Sequence, residues 1–315
     1  MKPLMRDAHP VDKAAVIPRP GSIGARSKAW QRQFAECVIL PFLGASLPWP
    51  LAWRILQWLA NGSRFFGVET ARAQLVAVRE GFAGDADAWA AWHRLTRIVD
   101  QVDPALSWLR SDRWMDRHLI VDGDPLPAGP CIFVGFHYGT GFWSLRHLKR
   151  NGHRVSFISA PVDANQCPGR PLRLAFMRWR MKRVEEAGGA PVIYVGGGRN
   201  RIQAALREGI SVLGMVDVPQ PSTSRVAVEF LGGKAWFPDG LLRVAVTENV
   251  PLFAYLARLD PQTGARQLQL TRLPAKREQA LRALAAMLES AVRNESAAWH
   301  LWADWPLFVK GRSAH

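Results

Sequence analysis

A histidine directly follows the first segment that has the pattern of a buried strand. Residues 131–136, CIFVGF, run into His137, and Gly139 and Gly141 come next, just before a helix-like stretch. Ligands of open α/β sheets bind at the carboxyl ends of strands, so this position suits a functional side chain. An imidazole can serve as a general base, and glycines can expose backbone N–H groups that stabilise an oxyanion. The alternative is a histidine that only forms local hydrogen bonds in a turn.

Two further segments are candidates for ligand binding. Residues 196–198 are three glycines, but the sequence around them matches neither GxGxxG nor GxxxxGKS, so we predict a strand-to-helix turn with Arg199 as a candidate binding residue beside it. Residues 170–183 interleave basic with apolar side chains, which favours an amphipathic helix. Its charges could meet lipid headgroups, an acidic carrier protein or only solvent. The candidate binding residues of this helix are Arg173, Arg178 and Arg180.

Other common kinds of site have no motif in the sequence. No spacing of histidine, cysteine or carboxylate residues matches a metal site, and the GxSxG motif of serine hydrolases is missing. The three cysteines include no CxxC pair, which argues against a disulfide framework and for a reducing cytoplasm. We therefore expect no bound metal.

Strands and helices alternate in the second half of the chain and must position these residues. Apolar runs bounded by turn residues predict strands at 131–136, 155–159, 191–195, 211–216, 226–231 and 251–259. Helix-like stretches lie at 142–150, 170–187, 199–208, 239–248 and about 275–294. This alternation predicts an α/β fold in which a layered, mostly parallel sheet is flanked by helices.

Three regions are predicted along the chain. Residues 1–33 are rich in proline, arginine and serine and are expected to form a flexible basic tail. Residues 34–110 are expected to form a helical region that associates with a membrane, and residues 111–315 the α/β domain. The tail lacks the apolar core of a signal peptide, so export by that route is not expected.

The membrane interpretation depends on the start of the helical region. Residues 38–53 carry no charge for 16 residues, which is short of the about 20 helical residues that cross a bilayer, and three prolines interrupt them. We expect a hairpin at the membrane interface, followed by a helix whose apolar side is formed by Trp53, Leu56, Trp58 and Leu59. The alternative is that these helices are buried in the core of a soluble protein.

Charge and tryptophan content indicate the kind of partner. The net charge is +15, and 33 of the 41 basic residues are arginine, so an acidic partner is expected. Nucleic acid, an anionic membrane surface and an acidic carrier protein would each suit this charge. The 14 tryptophans against 3 tyrosines favour a membrane interface, and the alternative is that most of them are core residues. No nucleic-acid-binding motif occurs among the arginines, so no nucleic-acid partner is predicted.

Four segments occur in an order that is known from one protein family. They are VDGDPLPAGPCIFVGFHYGTGFW, then RNRIQAALREG leading into ISVLGMVDVPQ, then VAVEFLGGKAWFPDGLLRVA, and finally ESAAWHLWADW. Together they span about residues 115–305. Their order resembles the bacterial lysophospholipid acyltransferase-like group, which contains the late acyltransferases (lauroyl and myristoyl transferases) of lipid A biosynthesis. The resemblance implies a glycerolipid acyltransferase-like fold with an N-terminal region at the membrane interface.

The resemblance also assigns roles to residues. In that family a histidine and an acid five positions later, HxxxxD or HxxxxE, form the catalytic pair: the histidine deprotonates the acceptor hydroxyl and the acid orients the imidazole. His137 matches the histidine, but Phe142 occupies the position of the acid. No Asp or Glu lies between His137 and Asp163. Asp217 matches another acidic position of the family at a strand end, and it is the candidate substitute for orienting His137.

The resemblance implies a membrane-associated O-acyltransferase. Such an enzyme moves a fatty acyl group from a thioester of acyl carrier protein or coenzyme A to a hydroxyl of a lipid or glycolipid, without a resident cofactor. It would lie at the cytoplasmic face of the bacterial inner membrane as a peripheral or monotopic protein, in contact with anionic lipids. The alternative, suggested by Phe142, is a catalytically inactive relative that binds lipid or acyl carrier protein.

Overall fold

The structure is a computed structural model that describes residues 23–196, 198–218 and 225–309. Most of the predicted basic tail, residues 1–22, and the middle glycine of the predicted turn at 196–198 lie outside the described residues.

The described part of the predicted tail is helical. Helix α1 (Ile23–Phe34) carries Trp30 and Phe34 four residues apart, and their rings stack with centroids 5.5 Å apart. Side chains at this spacing lie on the same face of a helix, which favours such contacts. The prediction of a flexible tail was therefore wrong for residues 23–33.

Seven strands form one mostly parallel sheet within the described residues. They are β1 (Leu119–Gly123), β2 (Ile132–Gly135), β3 (Val155–Ser159), β4 (Ile193–Tyr194), β5 (Ser211–Met215), β8 (Leu252–Leu259) and β9 (Arg266–Arg272), with the hairpin β6 (Arg225–Phe230) and β7 (Gly233–Pro238) outside the sheet. The order is β1-β9-β8-β2-β5-β3-β4. Strand β2 is parallel to both of its neighbours, β5 and β8, whereas β9 is antiparallel to β8.

Helices cover both faces of this sheet. They are α2 (Leu40–Ser46), α3 (Trp49–Asn61), α4 (Gly67–Arg79), α5 (Ala86–Leu109), α6 (Asp112–Asp116), α7 (Phe142–Arg150), α8 (Pro171–Gly188), α9 (Gly198–Arg207), α10 (Gly240–Glu248), α11 (Arg277–Asn294) and α12 (Trp305–Phe308), and a π-helical turn, Ala35–Ile39, joins α1 to α2. Successive strand residues face opposite sides, so Phe253 packs in one apolar core and Ala254 in the other. The predicted α/β fold with a mostly parallel, helix-flanked sheet is confirmed.

The N-terminal helices belong to one of these two cores. Trp53 and Leu56 of α3 are buried in the cluster that contains Phe253 and Leu268 of the sheet. The Trp53 indole also donates a hydrogen bond of 2.9 Å to the carbonyl of Gln262 in the loop between β8 and β9. Residues 34–110 are therefore integrated with the sheet, and the predicted boundary at residue 110 was wrong because the apolar side of α3 needs the sheet to cover it.

The predicted apolar side of α3 is divided between core and surface. Trp53 and Leu56 face the core and Leu59 is half-buried, whereas Trp58 is 71% exposed. Within the described residues, no helix combines the length and the apolar character needed to cross a membrane. The stretch 38–53 instead folds as two short helices, α2 and α3, with a turn at Leu47 and Pro48.

Most predicted elements of the α/β domain are confirmed. The helix predicted at 142–150 is α7, and the strand predicted at 155–159 is β3. The strand predicted at 226–231 exists, but it pairs only with β7 in the separate hairpin. The sequence analysis missed β1, β7 and β9. Strand β9 alternates polar with apolar residues, and the apolar runs of β1 and β7 are only three residues long.

Candidate active site

Two neighbouring parallel strands bring His137 and Asp217 together. Strand β2 ends at Gly135 and β5 at Met215, and the two strands pair in register with Gly135 opposite Met215. Each strand is followed after one residue by the functional side chain. Because carboxyl ends of parallel strands meet at the same edge of a sheet, the two side chains lie in contact there.

Asp217 holds both the backbone and the ring of His137. The backbone N–H of His137 donates to both carboxylate oxygens, at 3.0 and 2.8 Å, and Nδ1 lies 2.9 Å from Oδ1. A carboxylate can only accept hydrogen bonds, so the proton of the neutral imidazole is on Nδ1 and the lone pair on Nε2. This is the tautomer that a histidine needs to accept a proton through Nε2.

The C-terminal segment, residues 295–305, supplies a third donor to the same carboxylate. The indole Nε1 of Trp299 donates to Oδ2 of Asp217 at 3.0 Å, and both side chains are fully buried. The same segment pairs with the histidine turn, because the N–H of His300 donates to the carbonyl of His137 at 2.9 Å. The sequence analysis missed Trp299. A signal existed, since ESAAWHLWADW belongs to the segments that carry the resemblance.

Gly139 shapes the turn after His137 but leaves no free donor. It has φ +61°, and a Cβ there would lie 1.9 Å from the carbonyl oxygen of Ala257, so only glycine fits. Its N–H donates to the carbonyl of Ala298 at 2.9 Å, and its own carbonyl accepts from Nε2 of His300 at 2.9 Å. The expectation that Gly139 exposes its N–H to a ligand was wrong, because the C-terminal segment uses it.

Phe142 lies five positions after His137, where the resemblance led us to look for an acid. It is 5% exposed, begins α7 after Gly141 and belongs to the apolar core. The guanidinium carbon of Arg180 lies 5.8 Å from the centre of its ring, which is a cation–π contact. Phe142 therefore packs a wall of the site, and the carboxylate that contacts His137 comes from Asp217 instead.

Asp217 also sets the protonation of the imidazole. Burial by itself would lower the pKa of His137, but the charge and the hydrogen bond of Asp217, together with the charge of Asp100, outweigh burial and raise it. The neighbouring His300 behaves in the opposite way, because burial and the charge of Arg97 lower its pKa to about 4. At neutral pH His300 is therefore uncharged, and His137 is the more basic imidazole of the two.

Two cavities open onto His137, whose side chain is 41% exposed. The larger has a volume of about 640 Å³ and is mostly apolar. Its lining includes Ile158, Ile193, Ile202, Leu241 and Val244. We call it the apolar cavity, and its size is typical of a pocket for a small ligand or one alkyl chain.

The smaller cavity, which we call the cationic cavity, has a volume of about 310 Å³ and lies against His137 as well. Most of its lining is apolar too, but charged and polar side chains from α5, α8 and the C-terminal segment also face it, among them Arg97, Asp100, Gln101, Arg173, Arg180 and His300. The sequence analysis missed Arg97 and Asp100, because α5 carries no recognisable motif.

The structure separates the predicted binding residues into different places. Gly139, Gly141, Phe142, Arg173 and Arg180 line the cationic cavity, whereas Arg199 lines the apolar cavity. Arg178 lines neither of the two and is exposed on α8.

The expectation that the arginines of α8 are exposed docking charges was wrong for Arg180. Its guanidinium donates to the carbonyl and to the carboxylate of Asp100, at 2.8 and 2.9 Å, and its side chain is only 17% exposed. Arg180 therefore joins α8 to α5 and does not present its charge at the surface.

Comparisons with known proteins add no family to this picture. No protein-family model matches the sequence, and no curated protein matches it. Among the described residues, no cluster of three histidine, cysteine or carboxylate side chains could hold a metal ion.

The raised pKa of His137 gives a first prediction. In the protein the imidazole should titrate above the ordinary histidine value of 6.5, and Asp217→Asn should lower its midpoint, because the charge and the hydrogen bond of Asp217 then no longer offset burial. Side-chain ¹⁵N NMR, with His137→Gln to assign the signal, measures both midpoints. As a control, Asp116→Asn, at an exposed aspartate of α6, should leave the midpoint in place. An unchanged midpoint in Asp217→Asn would contradict the assigned pair.

Proposed function

We propose that this protein is an O-acyltransferase that moves a fatty acyl group from a thioester to a hydroxyl of a lipid or glycolipid acceptor. The observation that carries the proposal is the His137–Asp217 pair, with Nδ1 bound to a buried carboxylate and both an apolar and a cationic cavity beside the ring. A carboxylate that fixes the tautomer and stabilises the imidazolium is what general-base activation of a hydroxyl needs.

The reaction follows from this tautomer. Nε2 of His137 takes the proton of the acceptor hydroxyl while the hydroxyl oxygen attacks the thioester carbonyl carbon. The tetrahedral intermediate then collapses with cleavage of the carbon–sulfur bond, and the imidazolium returns its proton to the leaving thiolate. Asp217 stays ionised throughout and stabilises the positive ring between the two proton transfers.

The apolar cavity supplies a place for the acyl chain. Burying a methylene group contributes about 0.8 kcal/mol, so the transfer of a fatty-acyl chain from water into a cavity of this kind is strongly favourable. Arg199 also lines this cavity and offers positive charge, beside Arg243, which forms an ion pair with Asp239. This arrangement suits a thioester donor with an anionic carrier, either acyl carrier protein or coenzyme A.

The acid at Asp217 favours the enzyme over an inactive relative. The case for a non-catalytic lipid- or carrier-binding protein rests on Phe142, because without an acid the imidazole would be poorly oriented. Asp217 meets this need from the neighbouring strand, with three N–H groups directed at its carboxylate. A catalytically inactive binding protein is therefore the conclusion only if the following experiment detects no acyl transfer.

Thiol release from lauroyl thioesters of coenzyme A and acyl carrier protein, with bacterial lipid vesicles as the acceptor, tests the proposal. His137→Ala should lower the rate by about 10²- to 10⁴-fold, the usual contribution of a general base. Phe142→Glu should lower it too, because a carboxylate at this buried position would disrupt the packing that shapes the site.

The control for this experiment is His147→Ala. His147 lies on α7 like Phe142 but lines neither cavity, so this variant should keep the wild-type rate. Equal background thiol release in the wild type and all three variants would defeat the enzyme proposal. A rise in rate for Phe142→Glu would mean that the acid belongs at position 142 after all.

Membrane association is proposed to use an exposed aromatic surface cluster, formed by Phe42, Trp108 and Trp179. The three rings contact one another with centroids 6.0 to 6.3 Å apart, and Trp108 is 52% exposed. The guanidinium of Arg183 lies over two of the rings, 5.3 and 5.9 Å from their centres. An exposed aromatic cluster suits a membrane interface, here that at the cytoplasmic face of the bacterial inner membrane, and the net charge of +15 favours anionic lipid.

Deleting residues 1–62 would not test this surface, because the deletion removes Leu40, Trp53 and Leu56 from the core. Point substitutions avoid that problem. Phe42→Ser with Trp108→Ser should reduce co-sedimentation with vesicles of phosphatidylglycerol, while Trp236→Ser, at an exposed tryptophan of the hairpin β6–β7, should not. Binding by all variants alike, or equal affinity for duplex DNA, would contradict the membrane surface.

A further inference from the structure

We propose that the cationic cavity is a phosphate subsite that holds the phosphate group of one substrate beside His137. The assignment of this phosphate to a substrate of acyl transfer rests on the proposed function, whereas the binding of phosphate itself does not.

The charges in this cavity do not balance. Arg97, Arg173 and Arg180 face it together with a single carboxylate, that of Asp100. Arg180 already donates to one oxygen of this carboxylate and to the backbone carbonyl of Asp100. Among the described residues, neither Arg97 nor Arg173 forms an ion pair, so two positive charges are left facing the cavity.

Burial makes this excess positive charge costly. Burial lowers the pKa of the Arg97 guanidinium, and although Asp100 and Glu69 offset part of this effect, the charges of Arg173 and Arg180 add to it. An arginine nevertheless stays protonated in a protein. An anion in the cavity would remove the repulsion, and this gain is available only to a ligand with negative charge.

Aromatic rings hold the guanidinium groups of two of these arginines in place. The guanidinium carbon of Arg97 lies 5.4 Å from the centre of the Phe66 ring, and that of Arg180 lies 5.8 Å from the centre of the Phe142 ring. Stacked guanidinium groups lose little entropy when they bind, and their planar N–H forks match the oxygens of a phosphate. Phe142 therefore supports Arg180 by stacking. A carboxylate at position 142 would instead neutralise part of the positive charge of the cavity.

The size and place of the cavity limit the ligand. Its volume of about 310 Å³ is at the lower end for ligand pockets, so it suits a phosphate with a short polar link and not a second acyl chain. It shares His137 with the apolar cavity, so a phosphate bound here would lie on the same substrate as the reacting hydroxyl or thioester, or next to it.

This subsite is independent of the resemblance. Arg97 belongs to α5, and Arg173 and Arg180 belong to α8. None of the three lies in the segments that carry the resemblance. The phosphate has two chemical sources, the headgroup of a phosphorylated lipid acceptor or the phosphopantetheine arm of the donor.

Calorimetric titration of the full chain with two pairs of probes distinguishes these sources. One pair is dihexanoyl phosphatidic acid and dihexanoylglycerol, and the other is phosphopantetheine and pantetheine. The phosphorylated member of one pair should bind at least about tenfold more tightly than its partner, and the pair that shows this preference identifies the source. The titration measures binding and not thiol release, so a failure of catalysis and a failure of the subsite are separate results.

Two substitutions locate the binding. Arg97→Gln and Arg173→Gln should each weaken the phosphorylated probe about tenfold or more, and Arg173→Lys should recover part of the loss. Arg178→Gln is the matched control, because Arg178 lies on the same helix as Arg173 but outside the cavity. If a melting curve shows that Arg97→Gln does not fold, the affinity of Arg173→Gln for the phosphorylated probe tests the subsite by itself. No preference for phosphate in either pair, or an equal loss in Arg178→Gln, would overturn the proposal.

Discussion

The carboxylate of Asp217 is the point on which the arrangement of the site depends. It is fully buried, and a buried carboxylate without partners costs several kcal/mol, so its donors must be held firmly. Two of its three donors belong to His137, and the third is the Trp299 indole. Each charge-assisted hydrogen bond contributes about 1.5 to 3 kcal/mol. One residue therefore joins the end of β2, the end of β5 and the C-terminal segment.

The N-terminal helices are held to this site by a second buried charge pair. Asp103 of α5 forms an ion pair with Arg266 of β9, and both are almost completely buried. The Arg266 guanidinium lies 4.0 Å from the ring centre of Trp143 in α7 and 4.9 Å from that of Trp49 in α3. Breaking such a pair typically costs about 3 to 5 kcal/mol. Helix α5, which also carries arginine into the cationic cavity, is thus fixed relative to α7 and His137.

Sequence patterns predicted the sheet edge well and the partners of the site poorly. His137 and Asp217 could be placed because each follows an apolar strand, and the carboxyl ends of parallel strands meet at one edge. Trp299 and Arg97 were missed because their contacts join distant parts of the chain, 82 residues apart for Trp299 and Asp217. The inward direction of Trp53 was not predicted either, since an amphipathic helix has the same pattern against a sheet as against a membrane.

The central claim is that Asp217, and not a residue at position 142, makes His137 a base. The pH dependence of kcat/KM for acyl transfer tests it most directly, because this profile reports the pKa of the essential base in the free enzyme. In the wild type the rate should rise with pH through a midpoint above the ordinary histidine value of 6.5, and in Asp217→Asn both the midpoint and the plateau should be lower. The same midpoint and plateau in both proteins would contradict the account.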